Sequence, residues 1–312
     1  MNELSLIKLL HYGKYEDVYL SCDSVGNHYV VKRFYKQEFE NLKEYTNIDG
    51  CLTRKDWLNE FCRTVKIQLM MQHDRCVRCI HLNGFNPDSA DKATINDEID
   101  MVLEWCECGS LMEFDNFSIA IPSFPLEVVK CIAKDVLQAL EYLSTIHVAH
   151  CDIKPDNVFM DRAGRCKLGD FSHSQLFNSD GTIKNAKGSY YFMAPEMASC
   201  SSEPYNGAAI DMWALGICLW ILYFRKYPFR NLSTAVIELM DEISNFDINK
   251  ELACMRRSNT HIDADFENFI RAVLCKEPSL RITASDALQH PWLSNVRYEV
   301  AASYAAAKLN SL

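Results

Sequence analysis

His150-Cys151-Asp152-Ile153-Lys154-Pro155-Asp156-Asn157 decides the reading of this chain. It follows a long apolar-periodic segment, Leu126 to Ile146, and precedes a short strand, Val158 to Met160. Further on come Leu168-Gly169-Asp170-Phe171-Ser172 and Met193-Ala194-Pro195-Glu196. An H-x-D triplet alone is commonly accidental. A carboxylate, a lysine, an asparagine and a second carboxylate, each in a loop beside a strand, suit phosphoryl transfer. One acid orients the attacking hydroxyl, while the amide and the other acid hold magnesium against the phosphates.

Toward the N-terminus the chain reads as strands. Leu4 to Leu10, Asp17 to Cys22 and His28 to Tyr35 are short, β-branched or aromatic-rich, and separated by turns at Gly13 and Gly26-Asn27. A charged segment, Lys36 to Asp56, precedes a helical pattern over Trp57 to Met71. Strands near Cys79 to Phe85 and Ile99 to Trp105 flank a polar loop, Asn86 to Asp97, which reads as solvated and mobile. Beyond Gly109 the pattern is helical: Leu126 to Ile146 behind Pro125, the almost wholly apolar Ala208 to Phe224, then Ser233 to Asp241, Asp265 to Cys275 and Thr283 to Gln289. The Ala-rich tail, Arg297 to Leu309, reads as a surface helix.

In order and spacing these motifs resemble the eukaryotic protein kinase family, Ser/Thr type, over about Leu4 to Leu293. The resemblance implies an α+β bilobal fold, with an antiparallel sheet and one helix in the N-lobe and a mostly helical C-lobe. The kinase domain is expected over 1–293 (N-lobe about 1–104, C-lobe about 107–293), with 294–312 as a C-terminal tail. It implies ATP and Mg2+ as cofactors and proteins as substrates. Asp152 would orient the substrate hydroxyl and Lys154 steady the γ-phosphate; Asn157 and Asp170 would bind the metal. Lys32, in Tyr29-Val30-Val31-Lys32, would grip the α- and β-phosphates. Leu10, Gly13, Val18 and Val30 would cover the nucleotide. Leu103 would be the gatekeeper, with the backbone of Glu104 and Cys106 reading the adenine edge. Glu196 would pair with Arg281 to brace the large lobe, and Asp211 would hold the catalytic loop. The insert after Lys32 and the run Phe192 to Glu196 are similar to calmodulin-dependent kinase kinases and their relatives.

Five positions depart from the family pattern: His11, Glu16, Thr64, Cys151 and Ser172. In the phosphate-covering loop, G-x-G-x-x-G-x-V aligns with His11 to Val18 and only Gly13 is a glycine; Glu16 sets a carboxylate near the phosphates unless it points outward. The helix position expected to carry the partner of Lys32 is Thr64, so either Glu60, one turn earlier, substitutes or Lys32 lacks its usual partner. Cys151 stands where many members carry an Arg that binds a phosphorylated activation segment, and Ser172 replaces the Gly of D-F-G. A pseudokinase acting as scaffold or allosteric partner is therefore the alternative to an active enzyme, and a regulatory protein partner fits either.

The 312 residues are 48% hydrophobic and 24% charged, with a net charge of −10. That balance disfavours nucleic acid and anionic membranes as partners and suits substrates basic around the target Ser or Thr. Asp156 sits where an acid could meet such a basic side chain. Met1 to Leu10 does not read as a secretory leader, and the 14 cysteines form no framework, so reduced thiols and a cytoplasmic location are expected. Met212 to Phe224 is too short to span a bilayer and reads as a core helix. Cys76-Val77-Arg78-Cys79 has metal-ligand spacing but lacks a second pair, so a loop entering a strand is the simpler reading.

Overall fold

Alternating β-rich and helical patterns give two compact units, Met1–Gln72 with Val77–Trp105, and His73–Cys76 with Cys106–Leu312. The computed structural model describes residues 4–13, 16–41, 45–48, 51–54, 57–88, 95–112, 121–184, 186, 188–199, 204–229, 236–258 and 260–311, with backbone only for 45–48 and 51–54.

In the first unit the strands are β1 (Ser5–Tyr12), β2 (Glu16–Cys22) and β3 (His28–Tyr35), followed by α1 (Lys36–Glu40), β4 (Tyr45–Ile48), β5 (Cys51–Arg54), α2 (Trp57–Met70), β6 (Cys79–Asn83) and β7 (Glu98–Glu104). Five strands form one antiparallel sheet in the order β1-β2-β3-β7-β6. The helix α2 buries Trp57, Leu58, Phe61 and Val65, the 3.6-residue stripe its sequence shows. Phe61 meets Phe34 of β3 edge-on at 5.0 Å and Phe39 of α1 at 5.3 Å, joining helix to sheet. The charged segment contains a β4–β5 hairpin that apolar patterning does not reveal. Of the polar loop, 89–94 lie outside the described residues.

The second unit runs α3 (Leu126–Thr145), β8 (Val148–Ala149), β9 (Val158–Met160), β10 (Cys166–Leu168), β11 (Gln175–Leu176), β12 (Thr182–Ile183), α4 (Pro195–Ala198), β13 (Tyr205–Asn206), α5 (Gly207–Phe224), α6 (Val236–Ser244), α7 (Ile248–Arg257), α8 (Ala264–Val273), α9 (Ala284–Leu288) and α10 (Tyr298–Leu309). The helix α5 is apolar enough to pass for a membrane span but is buried along nearly its whole length as the core of this unit. Asn206 caps it, its side chain accepting from the Ala209 N–H. Absent from the sequence reading is α7: only Leu252 and Met255 are buried, and its start is set by Asp247, which accepts from the Asn249 N–H.

The tail forms the helix expected of it, α10, and one face of this surface helix is docked: Ala301 and Ala305 are fully buried. The Tyr298 hydroxyl donates to Asp135 of α3 at 2.8 Å, and Arg165 stacks 3.8 Å above the Tyr298 ring. Gly164 sits at φ +72°, and a Cβ there would fall 2.3 Å from the Ala301 backbone. Small residues on both sides allow this approach, and composition read as a surface tail misses it. The segment thus packs as part of the second unit.

Candidate active site

In the second unit the loop after α3 is built on a buried imidazole. His147, at φ +57°, turns the chain into β8, which pairs with β11 through Ala149 and Gln175. His150 follows, fully buried. The Asp152 N–H points to His150 Nδ1 at 3.2 Å, so Nδ1 is the acceptor, and Nε2 carries the proton taken by the Gly169 carbonyl at 3.0 Å. Burial holds the ring neutral by pushing its pKa below the usual histidine range. One side chain thereby fixes the turn before Asp152 and the turn before Asp170.

Cys151 lies in the left-handed region at φ +65°. The strain is held from below: the N–H groups of His150 and Cys151 donate to the two carboxylate oxygens of Asp211 at 2.6 and 2.8 Å. Burial raises the Asp211 pKa to about 7 although both hydrogen bonds oppose it. From above, Gly188 approaches so closely that a Cβ would meet the Cys151 carbonyl oxygen at 2.3 Å.

Asp152 is 4% exposed. Its Oδ1 accepts from the Ser189 N–H and from the Ser189 hydroxyl, both at 2.9 Å. Its Oδ2 lies 2.9 Å from Lys154 Nζ, which also donates to the Ser189 hydroxyl oxygen at 3.0 Å. Burial opposes ionisation of Asp152, but the Lys154 charge and the hydrogen bonds from Lys154 and Ser189 outweigh it and hold the carboxyl below its usual range. The Asn157 amide nitrogen donates to the Asp152 carbonyl at 2.8 Å and to Oδ2 at 3.1 Å, which fixes the orientation of the amide. The Gly169 N–H donates to the Asn157 carbonyl at 2.9 Å, tying this loop to Asp170. Asp170 itself is at φ +59° and opens a short 3-10 turn anchored by Phe171, which is 1% exposed.

Below this loop, Arg281 donates bidentately to Glu196 at 2.8 and 3.0 Å. Its remaining donors reach the carbonyls of Ala209 and Cys275 at 2.7 and 2.8 Å, and the guanidinium lies over Trp213. Every face of this buried cation is matched.

In the first unit, strand register brings together several residues expected at the nucleotide. Val18 pairs with Lys32, Lys32 with Met101 and Val30 with Leu103, so Val18, Val30, Lys32 and Leu103 share one face of the sheet. Leu10, on the edge strand, is 40% exposed. Gly13 closes the loop, its N–H donating to the Glu16 carbonyl at 3.0 Å; Lys14 and Tyr15 lie outside the described residues. The Glu16 carboxylate sits 3.6 Å from Lys32 Nζ. Glu60 lies half-buried in the first turn of α2, with Thr64 half-buried one turn on. Glu104 ends β7, its carboxylate accepting from the Arg78 N–H at 2.7 Å. Cys106 is buried at the start of the second unit's longer segment.

Strand register explains the approach of Glu16 to Lys32: Glu16 stands two residues from Val18, which is directly opposite Lys32. Invisible to motif reading is Asp135, a fully buried carboxylate that accepts from Arg165, the Cys166 N–H and Tyr298. Among the described residues no cluster of three or more His, Cys, Asp or Glu could hold a metal.

A family model described as protein kinase domain matches residues 4–293. Serine/threonine-protein kinase GRIK2 of Arabidopsis thaliana is 28% identical over 94% of this chain and 66% of its own length. A probable serine/threonine-protein kinase of Dictyostelium discoideum is 28% identical over 94% of this chain and 38% of its own. A calcium/calmodulin-dependent protein kinase kinase of Emericella nidulans is 27% identical over 90% of this chain and 56% of its own. The chain thus spans from under half to about two-thirds of the length of these curated relatives.

Proposed function

Since this chain belongs to the protein kinase domain family, we propose that it is an active, ATP- and Mg2+-dependent enzyme that transfers the γ-phosphate to Ser or Thr hydroxyls of proteins. The observation that carries this reading is the pair Asp152 and Lys154, which converge on one hydroxyl. The chain's own Ser189 hydroxyl stands 2.9 Å from Asp152 Oδ1 and 3.0 Å from Lys154 Nζ, so the two groups can together engage an alcohol oxygen. Asp152 is held as the carboxylate, the form that can orient or accept that proton.

The donor set suits magnesium. Asn157 offers an amide oxygen once its nitrogen is committed to Asp152, and Asp170 offers a carboxylate; both are hard oxygen ligands. The metal, when bound, neutralises charge on the phosphates. The protein's part is to hold these groups in place: His150 and Asp211 fix the loop, Asn157 and Lys154 fix Asp152, and Lys32 supplies a cation for the phosphates. Asp156 supports a preference for substrates basic near the target, and a peptide array without basic preference removes it.

The decisive experiment is magnesium-dependent transfer of labelled phosphate from ATP to generic basic peptides, with Asp152→Asn and Asp170→Asn in parallel. Activity in the wild type that falls steeply in both variants supports the reading. Equal signal from all three rejects it. ATP binding without turnover in the wild type favours the scaffold alternative, whose support is the Glu16 carboxylate beside Lys32.

A further inference from the structure

The first residue of β2 is a glutamate where the family pattern carries its third glycine. A glycine there presents only its N–H; Glu16 presents a carboxylate, and the antiparallel β2–β3 register directs it diagonally toward Lys32. The two charged ends are 3.6 Å apart, with 29% of the Glu16 side chain and 17% of the Lys32 side chain exposed. That separation is an ion-pair contact, longer than the 2.7–2.9 Å of a charge-assisted hydrogen bond. A ligand oxygen able to bond Lys32 directly can therefore displace it. Both partners stand on neighbouring strands of one sheet, so the pair forms without any nucleotide.

We propose that Glu16 competes with the nucleotide's phosphates for Lys32 and so sets how tightly this chain holds ATP. The inference rests on the assignment of Lys32 to the phosphates made above. A polyphosphate approaching Lys32 must take the ammonium group from a carboxylate and then tolerate that carboxylate nearby, and both effects act against binding. Glu16 is a positioning residue in this scheme: it touches Lys32, and acts on the nucleotide through it.

The test is direct titration of a fluorescent ATP analogue with Mg2+ into the wild type, Glu16→Gln, Lys32→Met and the double variant, each checked for an unchanged melting transition. Glu16→Gln is expected to tighten binding about fivefold, the size of a partly exposed ion pair. Lys32→Met weakens binding, and in that background the Glu16→Gln gain falls below about twofold, because the pair being broken is already gone. Unchanged or weaker binding by Glu16→Gln overturns the proposal, the weaker result assigning Glu16 to orienting Lys32. An equal gain in both backgrounds also overturns it, since Glu16 would then act by its field alone. If Lys32→Met binds as tightly as the wild type, the assignment of Lys32 fails and takes this inference with it. If Lys32→Met weakens binding while Glu16→Gln does nothing, only the competition is wrong.

Discussion

Asp152 is kept ionised against its own burial chiefly by Lys154 and Ser189. Asp152→Asn preserves shape and most hydrogen bonds but removes the proton acceptor, so peptide phosphorylation should fall about 10²–10⁴-fold. The melting temperature should move little, and a loss of activity tracking a loss of folded protein would argue that the residue is only structural. Asp211 makes the complementary case. Its pKa is raised to about 7 by burial, against about 3.9 in an unfolded chain. Its contribution to stability is then full below about pH 4 and is lost as the pH rises through 7. Asp211→Asn cannot titrate, so any stability advantage of the wild type over this variant should shrink by on the order of 2 kcal/mol between pH 5 and 7.5. Paired urea melts at the two pH values read this directly, and a gap that widens with pH would show that the carboxylate form is the stable one.

At the scale of elements, the docking of α10 is the feature its sequence shows least. Its buried face is alanine, so it carries none of the large apolar residues that mark a core helix, yet Tyr298 reaches the Asp135 that also holds Arg165. Tyr298→Phe leaves the ring under Arg165 and deletes the hydroxyl, which should cost about 1.5–3 kcal/mol as a hydrogen bond to a charged acceptor. Ending the chain at Ser294 should cost more, because Ala301, Ala305 and the Gly164 contact go with it. Thermal melts of both variants check this, and a truncation that melts like the wild type would show that the docked face adds no stability. The legible helices, α2, α3 and α5, bury large side chains, and burial is what periodicity reports. The β4–β5 hairpin pairs strands of four residues each, too short for alternation to show. In α7 only two of ten residues are buried, so the cap at Asp247 is its sole strong signal.

For the molecule as a whole, the family motifs are easier to read than the packing. The protein kinase pattern restricts residue type and spacing around Asp152, Asn157 and Asp170, so those positions stand out in a string of letters. The Glu16–Lys32 pair and the Asp135 hub depend on which strands and helices become neighbours, and nothing local encodes that. Net charge belongs to this scale too. At −10 the chain attracts basic peptides at long range, and that attraction is screened once the Debye length drops below the distances involved, from about 14 Å at 0.05 M salt to about 6 Å at 0.3 M. With ATP saturating, kcat/KM for an Arg-rich peptide should fall about threefold or more over that range, mostly through KM, while a neutral peptide with the same target hydroxyl changes by less than about twofold. Salt acting on the chemistry itself would depress both peptides equally. Salt acting on the field of the protein depresses only the charged one, and parallel decline of the two would mean that the acidic surface serves solubility and takes no part in choosing substrates.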